Sequence, residues 1–479
     1  MAIPAKLKRL FRGGARSLGI AGPRLIPQGR HPIRPEQILP AVAEVVSRLE
    51  KRGHIAWIVG GAVRDMVLGR APKDYDVATD ARPEEVKRCF GSARIIGRRF
   101  RLVHVKIGET TLEVATFRGR PQRRGGGMIH RDNTWGTPEE DAFRRDFTVN
   151  ALAFDLSRFA VIDYVGGMAD VEAGLVRTIA PAEVSLQEDP VRMLRALRFT
   201  VRLGFELTPD LAGAIHQLAP RLRMAKRHRL AEETQRFLTG GQAEAIFSAL
   251  ERYGLLGPML GLEGFPRLFG EVAEQDLLPA LRPFLKELDD WPKARDPVPP
   301  AVALLGLVLA LVPEPTRANL LGGAAARRQN PAAWKRLWAS LPRDLGGWGL
   351  LRGQVEPAIT ILSAVGVLHR AGKSERPSLR NPPAGAREGW MLLLLLRKTL
   401  ALADGRAAEG NKAIANLAPL VIPEHPPPPR RNPRRPSRRP ARPPAGAGKA
   451  LGQPPAGDGA PRRRRRGSRR RGPPPSPRQ

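Results

Sequence analysis

The sequence predicts a mixed α/β domain, then a long helical region, and finally a basic segment without a core. Three observations support this order. Up to about residue 167, short apolar runs typical of strands alternate with helical patterns. From about residue 206 to 423, the apolar spacing is mainly helical. After residue 424, Pro, Arg and Gly dominate, and too few apolar residues remain to bury a core, so this tail is expected to be disordered.

Composition narrows the class of protein further. A chain of 479 residues is long enough for two or three domains with real cores, and its net charge of +34 favours a polyanionic partner such as RNA, DNA or an anionic membrane. The single cysteine, Cys89, excludes a disulfide framework and fits a reducing cytosol. Two strongly apolar runs, 301–312 and 390–396, are too short to cross a bilayer and predict core helices.

The N-terminal segment, residues 1–30, is basic and lacks the sustained apolar stretch of a secretory signal. We expect a flexible basic arm, with an organelle transit peptide as the alternative. Residues 35–53 then show apolar positions at helical spacing and predict an amphipathic helix.

The stretch from Trp57 to Ala81, WIVGGAVRDMVLGRAPKDYDVATDA, contains the first candidate site. A buried strand is predicted to end at Gly60 and Gly61, where the backbone can approach a ligand closely because no Cβ intervenes. A short helix should follow, and its N-terminal N–H groups suit an anionic phosphate. Asp74 and Asp76 come next, and on a strand two residues apart point to the same side. Such paired carboxylates repel each other unless a cation such as Mg²⁺ lies between them.

Further strands are predicted at 93–96, 102–107 and 111–117. Glu113 on the last of these is a candidate third carboxylate, although an ordinary exposed strand position explains it equally well. Residues 118–141 are rich in Gly, Arg and polar residues and predict a mobile loop over the site.

Two later segments carry charged triplets and pairs. The run RRDFTVNAL includes Arg144, Arg145 and Asp146, in which guanidinium groups suit phosphate and a carboxylate suits a ribose hydroxyl. The run EDPVRMLRALRF predicts a helix with Pro190 at its first position and Asp189 as its N-cap. Asp189 and Arg192 are three residues apart, a spacing that brings side chains together on one helix face.

An acceptor beside a donor matches the base edges of adenine and cytosine, which each offer an amino group next to a bare ring nitrogen. Guanine and uracil would leave buried polar groups unpaired. These two residues therefore predict selection of A or C, and they do not distinguish ATP from CTP.

The segment GGAVRDMVLGRAPKDYDVATDA resembles the signature of the class II tRNA nucleotidyltransferase and poly(A) polymerase family, as do RRDFTVNAL and E-D-x-x-R. The resemblance implies an α/β nucleotidyltransferase head at 31–170, a helical neck at 171–260 that binds base and RNA, and a helical body at 261–423. It fades after about residue 265. The basic tail at 424–479 would contact RNA phosphates, and RNA-decay or RNA-chaperone proteins could also meet it.

The resemblance also implies roles for individual residues. Asp74 and Asp76, with help from Glu113, would hold two Mg²⁺ ions. Gly60, Gly61 and Arg64 would hold the triphosphate, and Arg144 and Arg145 would neutralise its charge. Asp146 would bind the ribose. The base would be bound by Glu188, Asp189 and Arg192.

The expected activity is template-independent addition of AMP from ATP to RNA 3′ ends in the cytoplasm, without a membrane. The alternative within the family is a CCA-adding enzyme. Three segments have sequences that favour poly(A) addition, namely GRRFRLVHV, EVATFRG and MIHRDNTWGTPEEDAFRRDF, and the basic tail is consistent with it. A non-catalytic RNA-binding protein on the same fold is a further alternative, as is a nucleotidyltransferase that modifies a protein or an antibiotic.

Overall fold

The computed structural model describes residues 23–404, except for 98–100, 120–121, 124–128, 132–133, 271, 292–294, 314–315, 318–319, 321–326, 329–330, 349, 351 and 373–383. The expectations for residues 1–22 and for the basic tail at 424–479 therefore lie outside the described residues.

The strands of the described residues belong mostly to one mixed sheet. In chain order they are β1 (Arg24–Ile26), β2 (Ala56–Val59), β3 (Asp76–Thr79), β4 (Arg94–Ile96), β5 (Leu102–Ile107), β6 (Thr110–Thr116), β7 (Gln122–Arg123), β8 (Ile129–Arg131), β9 (Ala153–Asp155), β10 (Ala160–Asp163), β11 (Leu175–Val176) and β12 (Glu206–Leu207). Eight of them form the sheet in the order β1-β10-β9-β2-β3-β6-β5-β4. Neighbours are antiparallel except β3 and β6, which run parallel, while β7–β8 and β11–β12 form separate pairs.

The α-helices cover both faces of this sheet region and build most of the rest of the described chain. They are α1 (Pro40–Glu50), α2 (Gly61–Val67), α3 (Pro83–Cys89), α4 (Pro138–Phe143), α5 (Gly167–Ala173), α6 (Ala182–Glu188), α7 (Val191–Leu203), α8 (Pro209–Leu218), α9 (Arg227–Leu238), α10 (Ala243–Arg252), α11 (Leu256–Leu260), α12 (Pro266–Phe269), α13 (Leu277–Asp289), α14 (Pro300–Leu311), α15 (Pro331–Trp348), α16 (Arg352–Gly372) and α17 (Ala386–Asp404).

The predicted order of a mixed α/β part followed by helices is confirmed. β5 has the predicted bounds, the strand predicted at 93–96 begins one residue later, and the strand predicted at 111–117 is displaced by one residue. The helix predicted at 35–53 is divided instead, because Pro40 lacks an N–H and begins a new helix after the 3₁₀ turn Pro35–Gln37. The domain limits within 31–423 stay predictions.

Two expectations about irregular segments are wrong. Arg24–Ile26 was expected within the flexible arm, yet its backbone pairs with β10 and forms the sheet edge. A strand of three residues is too short to show an alternation of apolar and polar side chains, and its partner lies more than 130 residues later in the chain. The loop expected at 118–141 contains β7, β8 and the start of α4, which Thr137 initiates through a capping box with Glu140.

The apolar runs predicted as core helices are buried as expected. α14 is apolar on every side, and its residues from Val302 to Leu311 are all buried. In α17, Met391, Leu392, Leu393, Leu395 and Leu396 are buried. No helix among the described residues is both long and apolar enough to span a membrane.

Candidate nucleotide and metal site

One cavity, of about 700 Å³, is lined by the sequence-predicted site residues except Glu188. It lies where β2, β3 and β6 of the sheet meet α2, α7 and α9. Of the described residues that line it, eleven are Lys or Arg and six are Asp or Glu. A second cavity, of about 750 Å³, lies between α15 and α16 with a mainly apolar lining and without such a cluster of charges. The charged cavity is therefore the candidate site.

The paired carboxylates line this cavity because Tyr75, the residue between them, is fixed on the opposite side of the backbone. Tyr75 is buried, and its hydroxyl donates a hydrogen bond to the backbone carbonyl of Gln37. Asp76 begins β3, with Val59 of β2 opposite it on one side and Glu113 of β6 on the other. Asp74 lies just before the strand and also lines the cavity. The predicted trio of carboxylates thus shares one wall.

The electrostatics of Asp76 reflect this crowding. Burial raises the pKa of Asp76, and the negative charges of Glu113 and Asp74 raise it further, against an opposing effect of Arg145. Glu113 has a second neighbour, since His104 Nε2 lies 3.4 Å from its Oε1. Within the described part of the chain, no group of three or more His, Cys, Asp and Glu side chains has the geometry of a ready metal site.

The turn after β2 is shaped by a guanidinium group. Gly60 has φ +76°, and a Cβ there would lie 2.9 Å from Nη1 of Arg145. That nitrogen donates to the backbone carbonyl of Asn150, while Nε and Nη2 of Arg145 donate to the buried Asp141. Glycine at position 60 is therefore needed both for the backbone conformation and for the space that Arg145 occupies.

Arg64 lies beneath this turn and is almost fully buried. Its guanidinium donates to Asp65 through Nε and Nη2 and to Asn150 Oδ1 through Nη1. The side chain still borders the cavity, but it is oriented mainly by these partners.

Positive charge is concentrated around Arg144. Its Nη1 donates to the carbonyl of Gly119 at 3.1 Å. Burial lowers the pKa of Arg144 to about 9, and the neighbouring guanidinium groups of Arg118, Arg145 and Arg192 contribute in the same direction. A bound anion would relieve this repulsion.

Asp146 is the hub of a network that sequence reasoning did not foresee. Its Oδ2 accepts from Arg195 Nε at 2.7 Å, and its Oδ1 accepts from the backbone N–H of Phe147 and the Asn150 amide. Burial alone would raise the pKa of Asp146, but the Arg195 charge and these hydrogen bonds outweigh it and hold the pKa below its ordinary value. The aspartate is therefore ionised and firmly oriented.

Arg195 connects Asp146 to a second buried carboxylate. Arg195 Nη1 donates to Glu233 of α9 at 3.2 Å, and Arg198 Nε donates to the other oxygen of Glu233 at 3.2 Å. The ring of Phe199 lies 5.7 Å from the Arg195 guanidinium and 4.5 Å from that of Arg198. A sequence signal for Glu233 existed, since helical spacing from Leu230 and Phe237 puts this acid on the apolar face of α9.

The prediction that the side chains of Asp189 and Arg192 meet on one helix face is wrong. α7 begins at Val191, so Asp189 precedes the helix, where its Oδ1 accepts from the Val191 N–H. Asp189 forms a two-pronged ion pair with Arg229 of α9, with both N–O distances 2.7 Å.

Arg192 turns back toward the end of α6 instead. It donates to Ser185 and lies 3.6 Å from Glu188. Asp189 and Arg192 both border the cavity, and the Arg192 N–H donates to the Asp189 carbonyl at 3.0 Å, but their side chains bind different partners.

Comparison with known proteins matches the chain to two family models. The first, described as Poly A polymerase head domain, matches residues 56–177, and the second, described as Probable RNA and SrmB-binding site of polymerase A, matches residues 204–263.

Among curated proteins, the chain is 42% identical over 278 residues to Poly(A) polymerase I of Escherichia coli, which is 55% of this chain and 59% of that protein. The chain therefore spans about 59% of the length of that relative. It is 32% identical over 333 residues to the CCA-adding enzyme of Geobacillus kaustophilus, which is 62% of this chain and 82% of that enzyme.

Solved structures show a similar fold. A crystal structure of the Bacillus stearothermophilus CCA-adding enzyme in complex with CTP matches with a TM-score of 0.50 and 28% identity, covering 80% of this chain and 83% of that one. A tRNA-processing enzyme in an apo form matches with a TM-score of 0.51 and 26% identity, covering 80% and 91%.

Proposed function

The chain belongs to the class II tRNA nucleotidyltransferase and poly(A) polymerase family, and from this membership we propose that it adds AMP from ATP to RNA 3′ ends without a template. The strongest support is that residues from distant parts of the sequence meet at one site. Three separate sequence motifs, ending in the D-x-D pair, the R-R-D triplet and the E-D-x-x-R segment, border a single cavity. Paired carboxylates, phosphate-binding guanidinium groups and a base-edge acceptor and donor are together what nucleotidyl transfer requires.

The D-x-D wall would hold the metal ions. Asp76 carries a raised pKa because burial and its carboxylate neighbours oppose ionisation, and a bound cation would remove that penalty. The oxygen donors of Asp74, Asp76 and Glu113 are the type that Mg²⁺ prefers. Two bound Mg²⁺ ions would supply Lewis-acid stabilisation of the charge that develops on the reacting oxygens. Glu113 would play the lesser part, because it also faces His104.

The triphosphate would lie against Gly60, Gly61 and the guanidinium groups behind them. Arg144 is the strongest candidate among these, since burial and the neighbouring guanidinium groups lower its pKa and a bound phosphate would favour its charged form. Arg145 supports the glycine turn from beneath, and Arg64 orients Asn150. Together they would fix the α-phosphate in front of the carboxylates.

Asp146 would receive a ribose hydroxyl. Its oxygens already accept from Phe147, Asn150 and both Nε and Nη2 of Arg195, which fills the four positions that a carboxylate offers. The Asn150 contact is the longest of the hydrogen bonds, at 3.3 Å, so a ribose hydroxyl would replace it with the least loss.

The base would be read by Asp189 and Arg192, with Glu188 orienting the arginine. Asp189 Oδ1 accepts from both Arg229 and the Val191 N–H, whereas Oδ2 accepts only from Arg229 and keeps a second lone pair for an amino group of the base. Adenine and cytosine fit this pattern, and guanine and uracil do not. Higher identity to Poly(A) polymerase I than to the CCA-adding relative favours adenine, and CCA addition is the second candidate because the chain covers 82% of that relative.

RNA would be the acceptor, in keeping with the names of the poly(A) polymerase and tRNA nucleotidyltransferase relatives, and the activity would be cytoplasmic. The basic tail at 424–479 would add phosphate contacts, and RNA-decay or RNA-chaperone proteins are its candidate protein partners.

The deciding experiment supplies ATP, CTP or both, first with an unstructured RNA and then with a tRNA that lacks its 3′ end. The proposal expects continued growth with ATP alone on the unstructured RNA. Incorporation of CTP followed by arrest after CCA on the tRNA would instead establish the second candidate. Asp76→Asn serves as the inactive control, and Glu109→Gln, whose side chain is fully exposed, serves as its matched neutral carboxylate variant.

A further inference from the structure

An exposed indole borders the charged cavity and has no part in the roles described above. Trp135 is 36% exposed and lies in the cavity wall with Asp74 and Asp189. A large apolar ring that remains partly open to water inside a strongly charged cavity leaves aromatic surface available to a ligand.

The backbone around Trp135 is tightly held. Trp135 pairs with Arg118, two residues beyond the end of β6. Hydrogen bonds of 2.7 and 2.9 Å join Gly119 to Thr134 and Gly136 to Phe117. A Cβ on Gly136 would lie 2.4 Å from the Gly119 Cα, so the two segments approach more closely than any other residue would permit.

The next residue in the chain, Thr137, starts α4 with a capping box to Glu140. The indole is therefore carried on a rigid extension of the strand that bears Glu113. A preorganised aromatic surface binds with little loss of conformational entropy.

Two other aromatic rings of this region are already engaged inside the fold. Phe199 lies against the guanidinium groups of Arg195 and Arg198. Phe117 packs edge-on against Trp57, with ring centroids 5.8 Å apart. Among the described residues that line the cavity, Trp135 is thus the exposed aromatic side chain.

We propose that Trp135 is a stacking surface for a nucleobase and that this base belongs to the 3′-terminal region of the RNA acceptor. The inference rests on the proposed function, which assigns the base of the incoming nucleotide to Asp189 and Arg192. From Glu113 to Arg118 the chain advances five residues, about 16 Å if extended, so the backbone pairing of Arg118 with Trp135 places the indole beyond the carboxylates in the direction of this strand. Stacking is tolerant of base identity, so this contact would hold any RNA end.

The test measures RNA binding without catalysis. The wild-type chain and Trp135→Ala, Trp135→Phe and Leu39→Ala variants are titrated with a short single-stranded RNA over a range of salt concentrations. Leu39 is 43% exposed and is not among the cavity-lining residues, so its variant controls for loss of an exposed apolar side chain. Removal of the indole should weaken RNA binding by roughly 5- to 160-fold, and Trp135→Phe should recover much of it.

Two readouts identify stacking as the cause. The slope of log affinity against log salt should be the same in Trp135→Ala and wild type, because no phosphate contact is lost. RNA should also quench a component of the tryptophan fluorescence that is absent in Trp135→Phe, whereas ATP alone should not.

Each outcome is decisive. Unchanged RNA affinity in Trp135→Ala, or quenching by ATP alone, overturns the assignment to the acceptor base. A flattened salt slope would show that an electrostatic contact had been disturbed instead, which also contradicts it. If RNA binding depends on Trp135 while no AMP is transferred by the wild-type chain, the proposed function fails and the stacking surface stands.

Discussion

Glu233→Gln is the substitution that tests the network behind the site most sharply. Glu233 is 2% exposed and accepts hydrogen bonds from Arg195, Arg198 and Arg236. Arg195 in turn holds Asp146, so one carboxylate on α9 orients the proposed ribose ligand through a single intermediate. Glutamine keeps the volume and one acceptor oxygen but removes the charge.

The loss of unfolding free energy expected for Glu233→Gln depends on how deeply each of these ion pairs is buried. Arg195 and Arg198 lie largely inside the protein, whereas the Arg236 side chain is 53% exposed and its ion pair is screened by water. Removal of one partner of a buried ion pair costs about 3–5 kcal/mol, and the retained amide oxygen lowers that to about 2–4 kcal/mol. The pKa of Arg198 is already lowered to about 10, mainly by burial, with Glu233 opposing the shift, so loss of Glu233 leaves this cation poorly compensated.

The assay combines equilibrium unfolding in urea with steady-state kinetics. Glu232→Gln is the matched control, since it removes the same charge one residue away from an exposed position on the same helix. We expect Glu233→Gln to lose about 2–4 kcal/mol of unfolding free energy and to raise KM for ATP, while Glu232→Gln changes stability by less than about 0.5 kcal/mol. Equal effects of the two variants on stability and on KM would refute the reasoning.

Three further predictions concern the carboxylates and the tail. Asp76→Asn should lower AMP transfer by at least about 100-fold with RNA affinity unchanged, whereas Glu109→Gln should retain activity. Measurement of kcat and an RNA titration check this, and a kcat for Asp76→Asn close to that of the wild type would contradict it. The lowered pKa of Asp146 stabilises the fold above about pH 3.9, the value expected in the unfolded chain, and this contribution is lost as the pH falls through the folded pKa. The stability gap between wild type and Asp146→Asn should hence be flat from pH 5 to 8 and narrow only below about pH 4, and a gap that narrows near neutral pH would contradict the assignment. Deletion of residues 424–479, with about seventeen basic residues against two acids, should weaken RNA binding and flatten its salt slope while ATP affinity is unchanged; an unaltered slope would make the tail a spacer.

Local patterns predicted most of the secondary structure near the site. The strand, glycine turn and helix from Ala56 to Val67 follow from an apolar run, two glycines and helical spacing, all within about a dozen residues. The neighbourhood of Asp76 and Glu113 was also predictable, because Asp76 and Glu113 each lie on a strand and the family resemblance brings those strands together.

The long-range contacts were not predictable in the same way. Asp189 and Arg192 are close in sequence, and the rule for side chains three apart on a helix suggested that they meet. The rule failed because α7 begins only at Val191, which leaves Asp189 outside the helix and within reach of Arg229, 40 residues later. Spacing within one helix contains no information about a partner on another.

Trp135 was missed for a different reason. Nothing in its local sequence distinguishes it from an ordinary loop aromatic, since its exposure depends on how 117–119 and 134–136 pack together. The glycines at 119 and 136 were the available signal, because a glycine can mark a place where two backbones approach closely.

The central claim, a cavity that transfers AMP and reads A or C at the base edge, is tested most directly by extension of a labelled single-stranded RNA with each of the four nucleoside triphosphates in turn. The account predicts a growing ladder with ATP and no extension with GTP or UTP, because the edges of guanine and uracil do not offer Asp189 and Arg192 a matching donor and acceptor. Extension by GTP or UTP at a rate comparable to ATP, or no extension by ATP, would contradict it.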